Sequence, residues 1–191
     1  MLVEAPDLHV SVKRMREYVP ELERLLDQVR DLLGDGDDAK LAEANAVVNQ
    51  ALQLRPDDVE AWLLKCQIAS AMGDDLAALA AVEMALATAR PPEALYWRGA
   101  VLGDLGRHRE ALESIEAALR ALGDEPHWLL EELFHEKVTV LDALGLHDAA
   151  VAACAEGLER CPGSALLRAA LAPAERARVR GTFKVLRGGS Q

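Results

Sequence analysis

A spacing of small residues recurs along this chain and limits its possible folds more than any other feature. Gly73, Ala78 and Ala85 are separated by five and then seven residues. The same spacing returns in two further sets: Gly106, Ala111, Ala118 and Gly145, Ala150, Gly157. An earlier pair, Ala44 and Ala51, keeps the seven-residue step. A unit that recurs at a period of 20–50 residues is typical of stacked supersecondary units, so we expect an array of helical hairpins.

A second pattern precedes each of these glycines. Trp62, Cys66 and Ala69 are spaced by four and then three residues, which places them on one face of a helix. The equivalent sets are Leu95, Gly99, Leu102 and Phe134, Val138, Leu141. The glycine that follows supplies the left-handed conformation that closes a helix. Each unit is therefore predicted to be two antiparallel helices that approach closely at small residues.

These patterns resemble the tetratricopeptide repeat, a helix–turn–helix unit of about 34 residues. The matching segments are ALQLRPDD (51–58), AWLLKCQIASAMGD (61–74), YWRGAVLGDLGRHREALESIEAAL (96–119) and LDALGLHDAAVAAC (141–154). The resemblance implies an all-α fold, a right-handed α-solenoid of stacked helix–turn–helix units with terminal capping helices. Four units are expected over 20–163. The first is degenerate because GDGDDAK (34–40) replaces a single turn glycine. An insertion near 125–130 precedes the fourth, whose first helix is expected to be longer and to start at Pro126.

The two ends of the chain are expected to cover this array, because a solenoid does not leave its terminal faces bare. Residues 1–19 form an N-terminal segment or capping helix, and Pro20 suits the first turn of the next helix. A C-terminal capping helix is expected over 164–180, with Leu166, Leu167 and Val179 on its apolar side and a break at Pro173. The last residues, 181–191, are expected to be a flexible basic tail.

Composition narrows the class of protein. Apolar residues make up 51% of the 191 residues and aromatic residues only 4%, which favours close-packed helices over a β-sandwich. The net charge of −11 disfavours binding to nucleic acid or to anionic membranes. No apolar run is long enough for membrane insertion. The three cysteines contain no C-x-x-C pair, and we interpret them as reduced thiols of a cytoplasmic protein.

The sequence carries little sign of catalysis. Phosphate-binding, zinc-protease and serine-hydrolase motifs are absent from it. Glu132 and His135 have the spacing of half a di-iron motif, but a second copy of that motif is missing. We therefore expect no enzyme activity, no metal site and no cofactor.

The expected binding surface is the inner surface of the array, which is lined by the first helix of each unit. Projection of the repeat places eleven residues there: Glu60, Leu63, Gln67, Ser70, Tyr96, Ala100, Asp104, Glu132, His135, Thr139 and Asp142. This set is acidic with apolar positions. It lacks the clamp of Lys, Arg and Asn with which one tetratricopeptide subgroup holds C-terminal carboxylates. We therefore expect a neutral to basic, partly apolar peptide or helix as the ligand.

Three cations complicate this interpretation. Lys65, Arg98 and Lys137 recur at equivalent positions of successive units. Their stems could pack between helices while their charges reach neighbouring acidic groups. Alternatively, they form a cationic ladder at the edge of the groove, which would admit an acidic partner.

Three functions are compatible with these features. The first is a protein–protein interaction module, an adaptor or scaffold that captures a peptide or helix. The second is a small acidic secretion-type chaperone for an export substrate. The third is a self-assembling structural subunit, a homo-oligomer in which a basic end occupies the acidic groove of another copy.

Overall fold

The computed structural model describes the backbone of residues 8–35 and 37–188 and the side chains of residues 20–34 and 37–180. Within those ranges the only regular elements are nine helices, so the expected all-α class is confirmed. They are α1 (Leu8–Asp35), α2 (Asp38–Leu54), α3 (Val59–Ala71), α4 (Asp75–Thr88), α5 (Pro92–Asp104), α6 (His108–Leu122), α7 (Leu130–Ala143), α8 (His147–Arg160) and α9 (Ala165–Gly188).

Short polar signals in the sequence set where three of the helices begin. The carboxylates of Asp37, Asp58 and Asp74 accept hydrogen bonds from backbone N–H groups in the first turns of α2, α3 and α4, at 3.3, 2.9 and 3.0 Å. Each bond satisfies one of the N–H groups that a helix start leaves without a partner inside the helix.

The recurring glycine closes the first helix of three hairpins. Gly73, Gly106 and Gly145 have φ of +73°, +72° and +74°, in the region where a residue without Cβ is favoured. Each donates its N–H to a carbonyl three residues earlier at 2.9 Å. The predicted turn is therefore confirmed in all three copies.

The helices divide into two compact units, residues 1–89 and 90–191. In the first unit, α1 pairs with α2, α3 pairs with α4, and α3 also packs on α1 and α2. Leucine and valine of α1, such as Leu25 and Val29, meet Val48 of α2 and Ile68 of α3 in one buried cluster. The stacking of hairpins thus provides the core of this unit.

The second unit repeats the arrangement. Here α5 pairs with α6, α7 pairs with α8, and α7 also packs on α5 and α6. The last helix, α9, packs on both α7 and α8. Phe134 of α7 and Leu167 of α9 are fully buried in the same cluster. Gly157 allows this approach, since a Cβ at that position would lie 2.9 Å from Cβ of Phe134 and 2.8 Å from Cδ1 of Leu167.

Three boundaries differ from expectation. Pro20 lies inside the 28-residue α1 rather than in the first turn of a new helix, although an interior proline both lacks its N–H and crowds the carbonyl of the preceding turn. Similarly, α9 runs through Pro173 and beyond the expected end at 180 to Gly188. The fourth unit was expected to start its first helix at Pro126. Instead, Nδ1 of His127 accepts a hydrogen bond from the Leu129 N–H in a turn, and α7 begins at Leu130.

Parts of the two terminal segments cannot be compared with expectation. Residues 1–7 and 189–191 lie outside the described residues, as do the side chains of 8–19 and 181–188. What was expected of residues 1–7 and 189–191, and of the side chains in these two segments, therefore stays a prediction.

Candidate functional site

The eleven residues expected on the binding surface divide between the two units. Four lie on α3 in the first unit: Glu60, Leu63, Gln67 and Ser70. Seven lie on α5 and α7 in the second unit: Tyr96, Ala100, Asp104, Glu132, His135, Thr139 and Asp142. The two groups are described separately below.

In the first unit, the one acidic residue of the set is already paired. The guanidinium of Arg30 on α1 donates hydrogen bonds to the carboxylates of Glu60 and Asp27. Leu63, Gln67 and Ser70 follow along α3 and are half-buried. The charge of Glu60 is therefore partly neutralised, and this part of the predicted surface offers a ligand less negative charge than the sequence indicates.

In the second unit, α5 and α7 bring acidic groups together around a tyrosine. We define the acidic face as Tyr96, Asp104, Glu132 and Glu136. Burial raises the pKa of the Tyr96 phenol, and the nearby carboxylates of Glu136 and Glu132 raise it further. Ala100, also on α5, is half-buried. Tyr96 and Glu132, both expected on the binding surface, therefore lie near each other, and Glu136 lies near Tyr96 as well.

Glu136 is the member that the sequence analysis missed. Burial raises the pKa of its carboxyl group, His135 opposes this effect, and the negative charge of Asp104 adds to it. The carboxylate lies beside Gly103 of α5, where a Cβ would be 3.4 Å from Oε1 of Glu136, an ordinary contact distance. Its position four residues after Glu132, on the same helical face, was a signal that could have identified it.

Glu132 adds an incompletely satisfied group to this face. The side chain is half-buried, and its Oε2 atom is buried without a hydrogen-bond partner among the described residues. A buried acceptor that lacks a donor is costly to the folded protein.

A groove lies between α7, which also carries Glu132 and Glu136 of the acidic face, and α9. This α7–α9 groove has a volume of about 340 Å³ and is lined by His135, Val138, Thr139, Asp142, Leu166, Ala169, Ala170, Pro173 and Ala174. Three of the predicted residues, His135, Thr139 and Asp142, form its α7 wall. The carboxylate of Asp142 lies 2.7 Å from Nδ1 of His147 at the end of the groove.

The exposure of two apolar residues on α9 differs from what the sequence predicted. Leu166 was expected on the packed side of the capping helix, but it is 39% exposed and lines the groove, while Leu167 is fully buried. Val179, expected on the same packed side, is also exposed. The sequence could not distinguish these leucines, because both are apolar and the packing against α7 and α8 decides which one is covered.

The three recurring cations point into their own or neighbouring hairpins. Nζ of Lys65 donates to Oδ1 of Asn49 at 2.7 Å, and Nη1 of Arg98 donates to Oγ of Ser114 at 2.6 Å. Lys137 lies 3.5 Å from the carboxylate of Glu156. Each contact joins a first helix to a second helix, so these charges hold helices together, which favours the packing interpretation over a ladder.

No cluster of at least three His, Cys, Asp or Glu side chains within the described ranges could hold a metal ion. The three cysteines are free thiols. No described helix is both long enough and apolar enough to span a membrane.

Comparison with known proteins agrees with this geometry. Residues 92–121, which contain α5 and most of α6, match the family model for the tetratricopeptide repeat. The chain is a protein of the tetratricopeptide repeat fold. The solenoid class expected from the sequence is therefore confirmed together with the repeat itself.

Solved structures with this fold cover most of the chain. The pilF protein of Pseudomonas aeruginosa is 19% identical, with 90% of this chain and 79% of that chain covered at a TM-score of 0.68. A MamA structure from Desulfovibrio magneticus RS-1 is 14% identical, with 89% and 97% covered at 0.64. YrrB, described as a TPR protein with an unusual peptide-binding site, is 18% identical, with 84% and 83% covered at 0.63. No curated protein matches the sequence.

Proposed function

We propose that this protein is a non-enzymatic interaction module that binds a neutral to basic, partly apolar helix or peptide in its second unit. The observation that carries the proposal is that one helix, α7, contributes residues both to the acidic face and to the apolar α7–α9 groove. Protein interaction is the usual role of the tetratricopeptide repeat, and the repeat matched by the family model contributes Tyr96 and Asp104 to this face. A cytoplasmic location, expected from the cysteines, is part of the proposal.

Two kinds of contact would act together. Apolar side chains of the ligand would be buried against Val138, Leu166 and Pro173 in the groove. A lysine or arginine of the ligand would lie beside Glu132 and Glu136, whose carboxylates have each other and Asp104 as acidic neighbours. The negative charges would select the ligand and the apolar contacts would supply most of the affinity.

The test uses two synthetic helical peptides that share a leucine stripe and differ only in charge, one with lysines and one with glutamates. We expect isothermal titration calorimetry to detect binding of the lysine peptide and none of the glutamate peptide. The double variant Glu132→Gln, Glu136→Gln should weaken binding about tenfold or more, since charged hydrogen bonds contribute about 1.5–3 kcal/mol each. Glu113→Gln with Glu159→Gln, on the exposed surfaces of α6 and α8, is the matched control. Equal binding of both peptides would contradict the proposal.

The affinity for a cationic ligand is expected to increase with pH in the range where Glu136 loses its proton. The pKa of Glu136 is raised above its ordinary value of 4.5 by burial, so the group loses its charge at a higher pH than an exposed glutamate does. A cationic ligand binds the ionised form better, and affinity should therefore increase as pH rises from 4.5 through that raised pKa. In Glu136→Gln this part of the pH dependence should disappear. An unchanged pH profile in that variant would exclude Glu136 from the binding surface.

A further inference from the structure

A proline interrupts the backbone hydrogen bonds of α9 in the wall of the α7–α9 groove. Pro173 lies inside this helix, which continues on both sides of it. Proline has no backbone N–H, so the bond that residue 173 would donate to the carbonyl of Ala169, four residues earlier, is not formed. Ala169 and Pro173 both line the groove. The interruption therefore lies where the helix faces the proposed binding site.

The carbonyl oxygen of Ala169 is left open towards the groove. A helical carbonyl points along the helix axis towards the residue four positions later, so this oxygen lies beside the ring of Pro173. Both residues are exposed. The neighbouring guanidinium of Arg168 donates instead to the carbonyls of Pro162 and Gly163, at 3.0 and 2.9 Å. A backbone carbonyl without its helical partner accepts from water or from a ligand.

The polar groups on the opposite wall are mostly acceptors as well. The hydroxyl of Thr139 donates to the carbonyl of His135 at 3.0 Å, so it faces the groove with its lone pairs. The ionised carboxylate of Asp142 carries no donor. Among the residues that line the groove, the ring of His135 is the only side chain with an N–H group. The two walls together therefore suit a ligand group that is rich in donors.

We infer that the Ala169 carbonyl is a binding contact of this groove and accepts a hydrogen bond from an ammonium or guanidinium group of the ligand. An ammonium group has three N–H donors and no acceptor, which matches acceptors on both walls. Hydrogen bonds from a charged donor are stronger than those from a neutral hydroxyl or amide. Since this inference rests on the proposed function, it gives the same ligand a second cationic position besides the one at Glu132 and Glu136.

The unfavourable effect of Pro173 on the helix supports a role in binding. Proline is the least favourable residue in a helix interior, and departures from local structural preference are expected mainly at functional sites. Pro173 is exposed on the groove, whereas Leu167 and Ala177 of the same helix are buried. The position of the proline thus exposes an acceptor to the ligand and not to the core.

Substitution of Pro173 supplies the missing N–H and tests the contact. In Pro173→Ala, the new N–H should bond to the Ala169 carbonyl and so withdraw it from the ligand. We expect calorimetry to show binding of the lysine peptide weakened about fivefold, the effect of one hydrogen bond. Pro173→Leu is the matched variant, because it supplies the same N–H with a larger apolar side chain than alanine. A loss of affinity common to both variants therefore follows from the N–H and not from the missing ring.

A double-mutant cycle between protein and peptide identifies the donor. Each lysine of the peptide is replaced in turn by norleucine, which keeps the carbon chain and lacks the ammonium group. For one lysine, the replacement should weaken binding to the parent chain about fivefold more than binding to Pro173→Ala. For the other lysines the two losses should be equal, because their ammonium groups do not contact the carbonyl.

Hydrogen exchange in the free variants checks the direction of the carbonyl. Protection of the amide of residue 173 is expected in both, and exchange as fast as in an unfolded chain would overturn the inference. Equal affinity of both variants and the parent, or equal losses for every lysine, would overturn this contact and leave the proposed function standing. If the lysine peptide does not bind the parent chain at all, both the proposed function and this contact are wrong.

Discussion

At the residue scale, Gly157 shows how the small residues of the repeat act. Its missing side chain lets α8 approach Phe134 and Leu167, and the nearest atoms to an added Cβ include Cβ and Cγ of Phe134, which are close to the backbone of α7 and cannot swing away. The recurring small residue therefore reflects the distance between two helices rather than a need for backbone freedom, since the helix continues through Gly157 to Arg160.

We predict that Gly157→Ala lowers the free energy of unfolding by about 1–3 kcal/mol, the usual range for overpacking a core. This loss would occur although alanine has the better helix propensity by about 1 kcal/mol. Gly103→Ala is the control, because its added Cβ first meets an atom at 3.4 Å, an ordinary contact distance. We expect that variant to be neutral or slightly stabilised in urea unfolding. Equal behaviour of the two variants would show that packing at Gly157 is not tight.

At the element scale, α9 has two roles that belong to adjacent residues. Leu167 is fully buried with Phe134 and Leu130, whereas Leu166 lines the groove beside α7. Ser164 supports this orientation at the start of the helix, because its Oγ accepts the N–H of Leu167 at 2.9 Å and donates to Glu131 at 2.7 Å. One helix therefore covers the end of the second unit and supplies a wall of the proposed site.

Replacing each leucine by alanine should separate these roles. We expect Leu167→Ala to lower the free energy of unfolding by about 2–5 kcal/mol, the range for truncating a fully buried leucine. Leu166→Ala should change it by less than about 1 kcal/mol and should weaken binding of the lysine peptide instead. Chemical denaturation and calorimetry on the same two variants measure both effects. A stability loss of equal size in both would contradict the assignment of Leu166 to the groove.

At the scale of the whole molecule, each unit has buried clusters of its own. The first unit buries residues of α1, α2 and α3 together, and the second buries residues of α7, α8 and α9 together. In repeat proteins stability is close to a sum of local terms, so different segments open with different free energies.

Native-state hydrogen exchange should reveal this division. In Leu167→Ala, we predict that amides of α7, α8 and α9 exchange faster by a factor that matches the lost stability. The core amides of α1 and α2 should keep the protection they have in the parent chain. A uniform loss of protection over all helices would instead mean that the chain unfolds as a single cooperative unit.

The sequence alone was sufficient for features that depend on local chemistry. The turn glycines were predictable because a positive φ strongly favours glycine, and the helix class was predictable because the apolar and small residues repeat with helical spacing. The projection of the repeat places Tyr96, Asp104 and Glu132 on one surface because equivalent positions of successive repeats are expected to face the same way, and their role in binding stays a prediction. The same reasoning missed Glu136, since the projection of the repeat did not include it and only the packed structure shows that its carboxyl group is buried near Asp104 of α5.

Tertiary structure alone decided which charged and apolar side chains already have partners within the protein and which remain available to a ligand. Arg30 neutralises Glu60 from thirty residues away, and Lys65, Arg98 and Lys137 bond to residues of other helices. Leu166 and Leu167 are equivalent in chemistry and differ only in which neighbour covers them. The physical reason is common to all these cases: backbone preferences act within a few residues, whereas burial and charge pairing depend on side chains that packing brings together from distant parts of the chain.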